Sequence, residues 1–104
     1  MNTLGQILRE QRESKGLLLR QVAASLEMDT ALLSKFERDE RFPKKEQIIA
    51  FALFYKIDSN QLLIEWLSDK LANELVNENI AIEALKLAEK KVELLRRKVN
   101  DYNK

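Results

Sequence analysis

Between Leu17 and Arg38 the chain reads LLLRQVAASLEMDTALLSKFER, two apolar stripes at helical spacing with only Glu27-Met28-Asp29 between them. Val22, Ala23 and Leu26 share a face of the first stripe, and Leu32, Leu33 and Phe36 share a face of the second. Helices this short are unstable alone and depend on packing. So tight a break also makes them cross closely, and the rest of the chain must supply the surface they pack on.

That surface reads as helical throughout. Two glycines and one proline in 104 residues, with little two-residue alternation, predict an all-α protein. Thr3-x-x-Gln6 is a capping box ahead of Leu4, Ile7 and Leu8, and Gly16 ends that helix at the position after its C-cap. The second helix spans about Leu19 to Leu26, and the third starts after Asp29, a good N-cap. Asp39 to Pro43 is a loop, because Pro43 holds Phe42 extended.

A fourth helix, Lys44 to Tyr55, carries Ile48, Ile49, Phe51, Ala52, Leu53 and Phe54 and is expected to be buried on most sides. Asp58-x-x-Gln61 caps a fifth helix bearing Leu62, Leu63, Trp66, Leu67, Leu71 and Leu75. Asn77-Glu78-Asn79 interrupts the pattern, dividing the chain into residues 1–76 and residues 77–104. The last helix, about Ile80 to Asp101, shows a seam of Leu85, Ala88, Val92, Leu95, Val99 and Tyr102, widened by Leu87 and Leu94.

With no cysteine and no histidine, the chain has no disulfide, no thiolate metal site and no His-dependent catalysis. Glu37, Asp39 and Glu40 alternate with Arg38 and Arg41, which reads as a solvated turn and not as an acid/base or metal cluster. No phosphate-cradling glycine loop is present. The expectation is a non-enzyme that needs no cofactor and no metal. With no signal segment and no long apolar run, it is expected in the cytoplasm and off the membrane.

Charge is balanced overall, 18 basic against 17 acidic residues, but not along the chain. Residues 1–45 carry nine Lys/Arg and seven Asp/Glu, residues 46–79 two and six, and residues 80–104 seven and four. Any nucleic-acid binding must therefore come from a local basic face.

The tight helix pair has the spacing of a DNA-reading helix-turn-helix. Leu4-Gly5-Gln6-Ile7-Leu8-Arg9, Arg12, Gly16-Leu17, Val22-Ala23, Leu26, Leu33-Ser34, Phe36-Glu37-Arg38 and Pro43 resemble the Xre family, whose domain is that of the lambda-type repressors and Cro. The match covers about Leu4 to Leu67, and its spacing from Gly16 to Ala23, to the turn and to Glu37-Arg38 agrees without gaps. It implies a five-helix lambda-repressor-like domain followed by a long C-terminal helix. It also implies a sequence-specific transcription regulator, a repressor by expectation, that binds double-stranded DNA as a homodimer.

Carried over position by position, the resemblance puts base reading on Thr30, Ala31, Ser34 and Lys35, and phosphate contacts on Arg12, Arg38, Lys44 and Lys45. The chemistry suits those roles. Lys35 can donate to guanine O6 and N7, and Ala31 and the Thr30 methyl can meet thymine methyls. Dimer contacts are expected at Leu63, Trp66 and Leu67 and along Leu85, Val92, Leu95 and Val99. In a parallel pair of final helices Lys91 would face Arg96 of the second copy, so an antiparallel pair, or docking on the same chain, is preferred.

Four positions depart from the family pattern. Leu18 and Leu19 stand where it has Ser or Thr and then Gln, Glu27 where a turn glycine is common, and Leu32 where a polar residue is usual. Leu17 to Ala24, Asp29-Thr30, Ser34-Lys35 and Trp66-Leu67-x-Asp69-Lys70 together resemble a branch found beside DNA methyltransferase and restriction genes, which implies control of a restriction-modification operon. Leu18, Leu19 and Leu32 form an apolar patch for thymine methyls or for a protein partner, or pack within the chain. As the alternative function, the chain is an interaction module, antirepressor-like or antitoxin-like, that acts through these leucines and the C-terminal helix and does not read DNA.

Overall fold

A computed structural model describes residues 1–102, and the side chains of residues 1–100. The described residues form six helices and no strand, α1 (Leu4–Ser14), α2 (Leu19–Ser25), α3 (Thr30–Glu37), α4 (Lys45–Tyr55), α5 (Ser59–Leu75) and α6 (Ala81–Tyr102). They group into two compact units, Met1–Leu71 and a second beginning at Ala72. The fold is all-α, five helices and a long final one.

Local chemistry sets the helix ends. Asp29 accepts from the Ala31 N–H at the start of α3, and Asp58 accepts from the Gln61 N–H at the start of α5. Gly16 follows α1 with φ +66°, the left-handed conformation that costs glycine nothing. Glu27, Asp39 and Lys56 adopt the same conformation without being glycine. Glu27 therefore occupies the turn position where the Xre family commonly has glycine.

The start of α1 is held from three directions. The Thr3 hydroxyl accepts from the Gln6 N–H while Gln6 Oε1 accepts from the Thr3 N–H, completing the capping box. Asp39 Oδ1 accepts from the Gly5 N–H at 3.0 Å and its Oδ2 from the Thr3 hydroxyl at 2.6 Å. Asp69 Oδ2 of α5 accepts from the Leu4 N–H at 2.7 Å. Two carboxylates from distant parts of the chain thus meet the positive end of the α1 dipole, tying α1 to the α3–α4 turn and to α5.

The core of the first unit is built from Leu4 and Leu8 of α1, Val22 and Ala23 of α2, Leu33 and Phe36 of α3, Ile48, Phe51, Ala52 and Tyr55 of α4, and Leu62 of α5. Phe36 meets Phe51 edge-on with centroids 6.2 Å apart, and Phe51 stacks on Tyr55 at 6.3 Å. Trp66 packs against this core and its indole N–H donates to the Pro43 carbonyl at 2.8 Å, while the Lys70 ammonium lies 4.1 Å from its ring centroid.

One expectation is corrected. α4 is not buried on most sides, since Ile49 is exposed and Leu53 is 75% exposed. A unit this small has too little chain to cover every flank of its central helix, and one side of α4 stays open.

Inside the core the Tyr55 hydroxyl finds no hydrogen-bond partner among the described residues. Burial, reinforced by the nearby Glu37 charge, pushes its pKa up to about 12. A phenol of the unfolded chain ionises near pH 10. The folded state therefore loses stability as pH climbs from about 10 to about 12, by roughly 2–3 kcal/mol for this group. Tyr55→Phe is expected to abolish that loss while being at least as stable as the parent at pH 7. Urea melts of both proteins at pH 7, 9, 11 and 12 measure the difference. A gap between the two that stays constant with pH would refute it.

In the second unit the last turn of α5 is followed by a turn at residues 76–80, where the Glu78 N–H donates to Leu75 and the Ala81 N–H to Glu78. Leu75, Ala81 and Ala84 are half-buried. Along α6, Leu85, Val92, Leu95 and Val99 are exposed, as are Leu87 and Leu94 of the second row. The side chain of Tyr102, the expected end of the seam, lies outside the described residues.

Candidate nucleic-acid interface

The second face of α3 carries the site. Leu33, Phe36 and Glu37 point into the body, so Thr30, Ala31, Ser34, Lys35 and Arg38 are left together on the other side. Thr30, Ala31 and Lys35 are exposed and Ser34 is half-buried. Lys35 has no ion-pair partner among the described residues, whereas Arg38 donates to Glu40 at 3.0 Å. Lys44 and Lys45 stand exposed at the start of α4, where Gln47 Oε1 accepts from the Lys44 N–H. Of the four expected phosphate-contacting residues, Arg38 follows α3 directly, Lys44 lines a cavity with Leu32 and Phe36 of α3, and Lys45 is exposed next to it in sequence.

Arg12 is placed differently from the expectation. Its guanidinium is 13% exposed and faces Glu37, whose side chain is 4% exposed. Nε donates to Glu37 Oε2 at 2.9 Å, Nη2 donates to Oε1 at 3.0 Å, and Nη1 donates to the Leu17 carbonyl at 3.0 Å. The hydrogen bond to Glu37, outweighing the opposing effect of burial, holds its proton more firmly than in a free arginine. The group pins α1 to the last turn of α3 and to the entrance of α2, which fixes how far α3 stands out from the body.

The short α2 braces α3. Ala23 is buried in the core with Val22, as a close helix crossing demands. At its entrance the Leu18 N–H donates to Gln21 Oε1 at 2.8 Å, so the glutamine side chain satisfies a backbone donor where Ser or Thr would have capped the helix. The expected apolar patch is divided, since Leu19 and Leu32 pack against the core and only Leu18, 48% exposed, remains open.

Among the residues expected at a dimer contact, Leu63 and Trp66 are half-buried against the core, so Leu67 is the one that faces outward on α5. It is accompanied there by Ile64 and Leu71, at three- and four-residue steps on the same face. Ile64 was missed because the Leu62–Leu63 pair beside it carried the sequence stripe. Exposed arginines at positions 9, 20 and 41 were also outside the expected set. Arg41 lines a shallow cavity of about 180 Å³ with Leu32, Phe36, Phe42, Lys44 and Gln47. Nothing in the local sequence distinguishes these arginines from other surface charge.

No helix among the described residues is long and apolar enough to cross a membrane. A family model described as a helix-turn-helix domain matches residues 3–63, more than half of the chain. No curated protein and no solved structure matches it. With the two short helices crossed at Ala23, the turn at Glu27 and the α3 face in place, the chain belongs to the helix-turn-helix domain family, of the Xre and lambda-repressor type, and is a DNA-binding regulator.

Proposed function

We propose that the protein is a transcriptional repressor of the cytoplasm, without catalytic activity, that binds operator DNA as a homodimer. The observation that carries this reading is the α3 face, where Thr30, Ala31, Ser34 and Lys35 stand away from the core with Arg38 directly after them, and Lys44 and Lys45 are exposed at the start of α4. Each α3 enters a major groove, and the half-sites lie about 34 Å apart, one turn of the duplex. Repression follows where the site overlaps a promoter. The resemblance to regulators beside methyltransferase and restriction genes makes a restriction-modification operon the proposed target.

Enrichment of bound duplexes from random DNA tests the reading. The expected product is an inverted repeat with one-turn spacing. Lys35→Ala is expected to lose about 1–3 kcal/mol on the enriched site and much less on random duplex. Lys45→Ala weakens both equally and lowers the salt slope by about 1. Equal loss at Lys35 on both DNAs would remove its base-reading role.

For the homodimer, the support is the outward row Ile64, Leu67 and Leu71 on α5 and the stripe Leu85, Val92, Leu95 and Val99 on α6. Sedimentation of the full chain with Leu67→Lys or with Val92→Lys locates the contact. The variant that becomes a monomer marks the helix that pairs, and a monomeric parent refutes the dimer. The exposed Leu18 favours a second reading, an interaction module with a protein partner. Absence of any salt-dependent DNA binding would select it.

A further inference from the structure

We infer that Arg9, together with Arg38, seats one backbone phosphate of the bound duplex in the notch between α1, α2 and α3, and that Glu13 and Glu40 occupy those two guanidiniums until DNA displaces them. The inference rests on the DNA-binding reading above and adds a contact point and a competitor to it. The notch, about 200 Å³, is lined by Arg9, Arg12, Leu19, Ser34, Glu37 and Arg38. Three guanidiniums line it against one carboxylate.

Arg12, half-buried, and Glu37, buried, are directed at each other and cancel. The cationic character left in the notch belongs to Arg9 and Arg38, which approach from α1 and from the end of α3. Ser34 belongs to both the notch and the α3 reading face, so the opening is on the side the duplex approaches. Leu19 supplies an apolar wall at the α2 entrance with no donor of its own.

Both free arginines are held from outside by single, exposed carboxylates. Arg9 Nε donates to Glu13 Oε1 at 2.7 Å, with side chains 61% and 53% exposed. Arg38 Nη2 donates to Glu40 Oε2 at 3.0 Å, also between exposed groups. Glu13 Oε1 lies in addition 4.0 Å from Arg12 Nη2, so one carboxylate spans the rim of the notch. The Arg9 hydrogen bond holds the Glu13 carboxyl below the usual carboxylate range, and like any exposed glutamate it is an anion and a competitor at neutral pH.

Exposed pairs of this kind are weak, whereas a guanidinium meets a phosphate in a charge-assisted, frequently bidentate geometry. Exchange of carboxylate for phosphodiester is therefore downhill. The two glutamates lower the affinity of the free protein for any polyanion until the duplex is aligned with α3.

The test is fluorescence anisotropy of the full chain on the enriched site and on random duplex, each over a range of salt. Arg9→Gln is expected to weaken both DNAs alike, on the order of tenfold, and to lower the slope of log K against log salt by about 0.9. Glu13→Gln is expected to tighten both, up to about fivefold, by removing an exposed competing pair. Adding Glu13→Gln to Arg9→Gln should give no gain, because the glutamate acts through that arginine.

Wild-type binding that survives Arg9→Gln with unchanged affinity and salt slope overturns the inference alone. So does a Glu13→Gln gain that persists without Arg9, which marks a general charge effect. Wild-type protein that binds neither DNA at any salt overturns the functional reading and this inference together. Circular dichroism of each variant checks that the fold is intact, as the exposure of both side chains predicts.

Discussion

Arg12→Met is expected to cost the domain about 3–5 kcal/mol of unfolding free energy, because it leaves the Glu37 carboxylate buried without its partner. Four hydrogen bonds from the guanidinium are lost at once, three to Glu37 and one to the Leu17 carbonyl. For a small domain with a total stability of about 5–15 kcal/mol, this is a large share. The double variant Arg12→Met/Glu37→Leu removes both charges and is expected to recover most of the loss, since a buried ion pair is worth little more than an apolar pair of similar volume. Urea unfolding of the two single variants and the double variant measures the cycle. Single-variant losses of under 1 kcal/mol would show that the pair does not hold α3 to α1.

Gly5→Ala should be nearly as damaging, at about 2–4 kcal/mol, by combining overpacking with loss of a cap. A Cβ on Gly5 would meet the Phe36 carbonyl oxygen at 2.6 Å, the Glu37 carbonyl oxygen at 2.7 Å and Asp39 Oδ1 at 2.6 Å. Two of these neighbours are backbone and cannot swing aside. The third is the carboxylate that accepts from the Gly5 N–H, so relieving the clash displaces a cap of α1. The substitution is otherwise favourable for a helix interior, by up to about 1 kcal/mol. Thermal melts are expected to show a fall on the order of 15 °C, and an unchanged or raised midpoint would refute the close approach of α1 to α3.

Both substitutions disturb the placement of α3 without touching its DNA-facing side chains. The preference of such variants for the enriched site over random duplex should therefore be unchanged, although Arg12→Met also leaves the Glu37 carboxylate unpaired in the notch and weakens both DNAs alike. That pattern separates Arg12 and Gly5 from Lys35, whose loss is expected to change the preference itself.

The helix boundaries and the outward face of α3 were legible in the sequence because they depend on near neighbours. Thr3 with Gln6, Gly16, Asp29, Pro43 and Asp58 act within one turn of where they stand, so their residue types suffice to place both ends of α1 and the starts of α3, α4 and α5. Leu33 and Phe36 at three-residue spacing determined which side of α3 is anchored, and hence that Thr30, Ala31, Ser34 and Lys35 share the other. The gapless spacing from Gly16 through Glu37-Arg38 carried the family.

What only the tertiary structure decided is which distant group each side chain meets. Arg12 reads as a phosphate-contacting cation until Glu37, on another helix, is brought to 2.9 Å from it. Gly5 reads as a poor helix residue until the end of α3 is laid across it. Trp66 and Leu67 are adjacent in one stripe, yet the first turns inward to Pro43 and the second outward. Ile49 and Leu53 read as core and lie on an open flank. The physical reason is common to all four. Periodicity assigns residues to a face of a helix, but whether that face is covered, and by which partner, depends on how several helices pack around one small core.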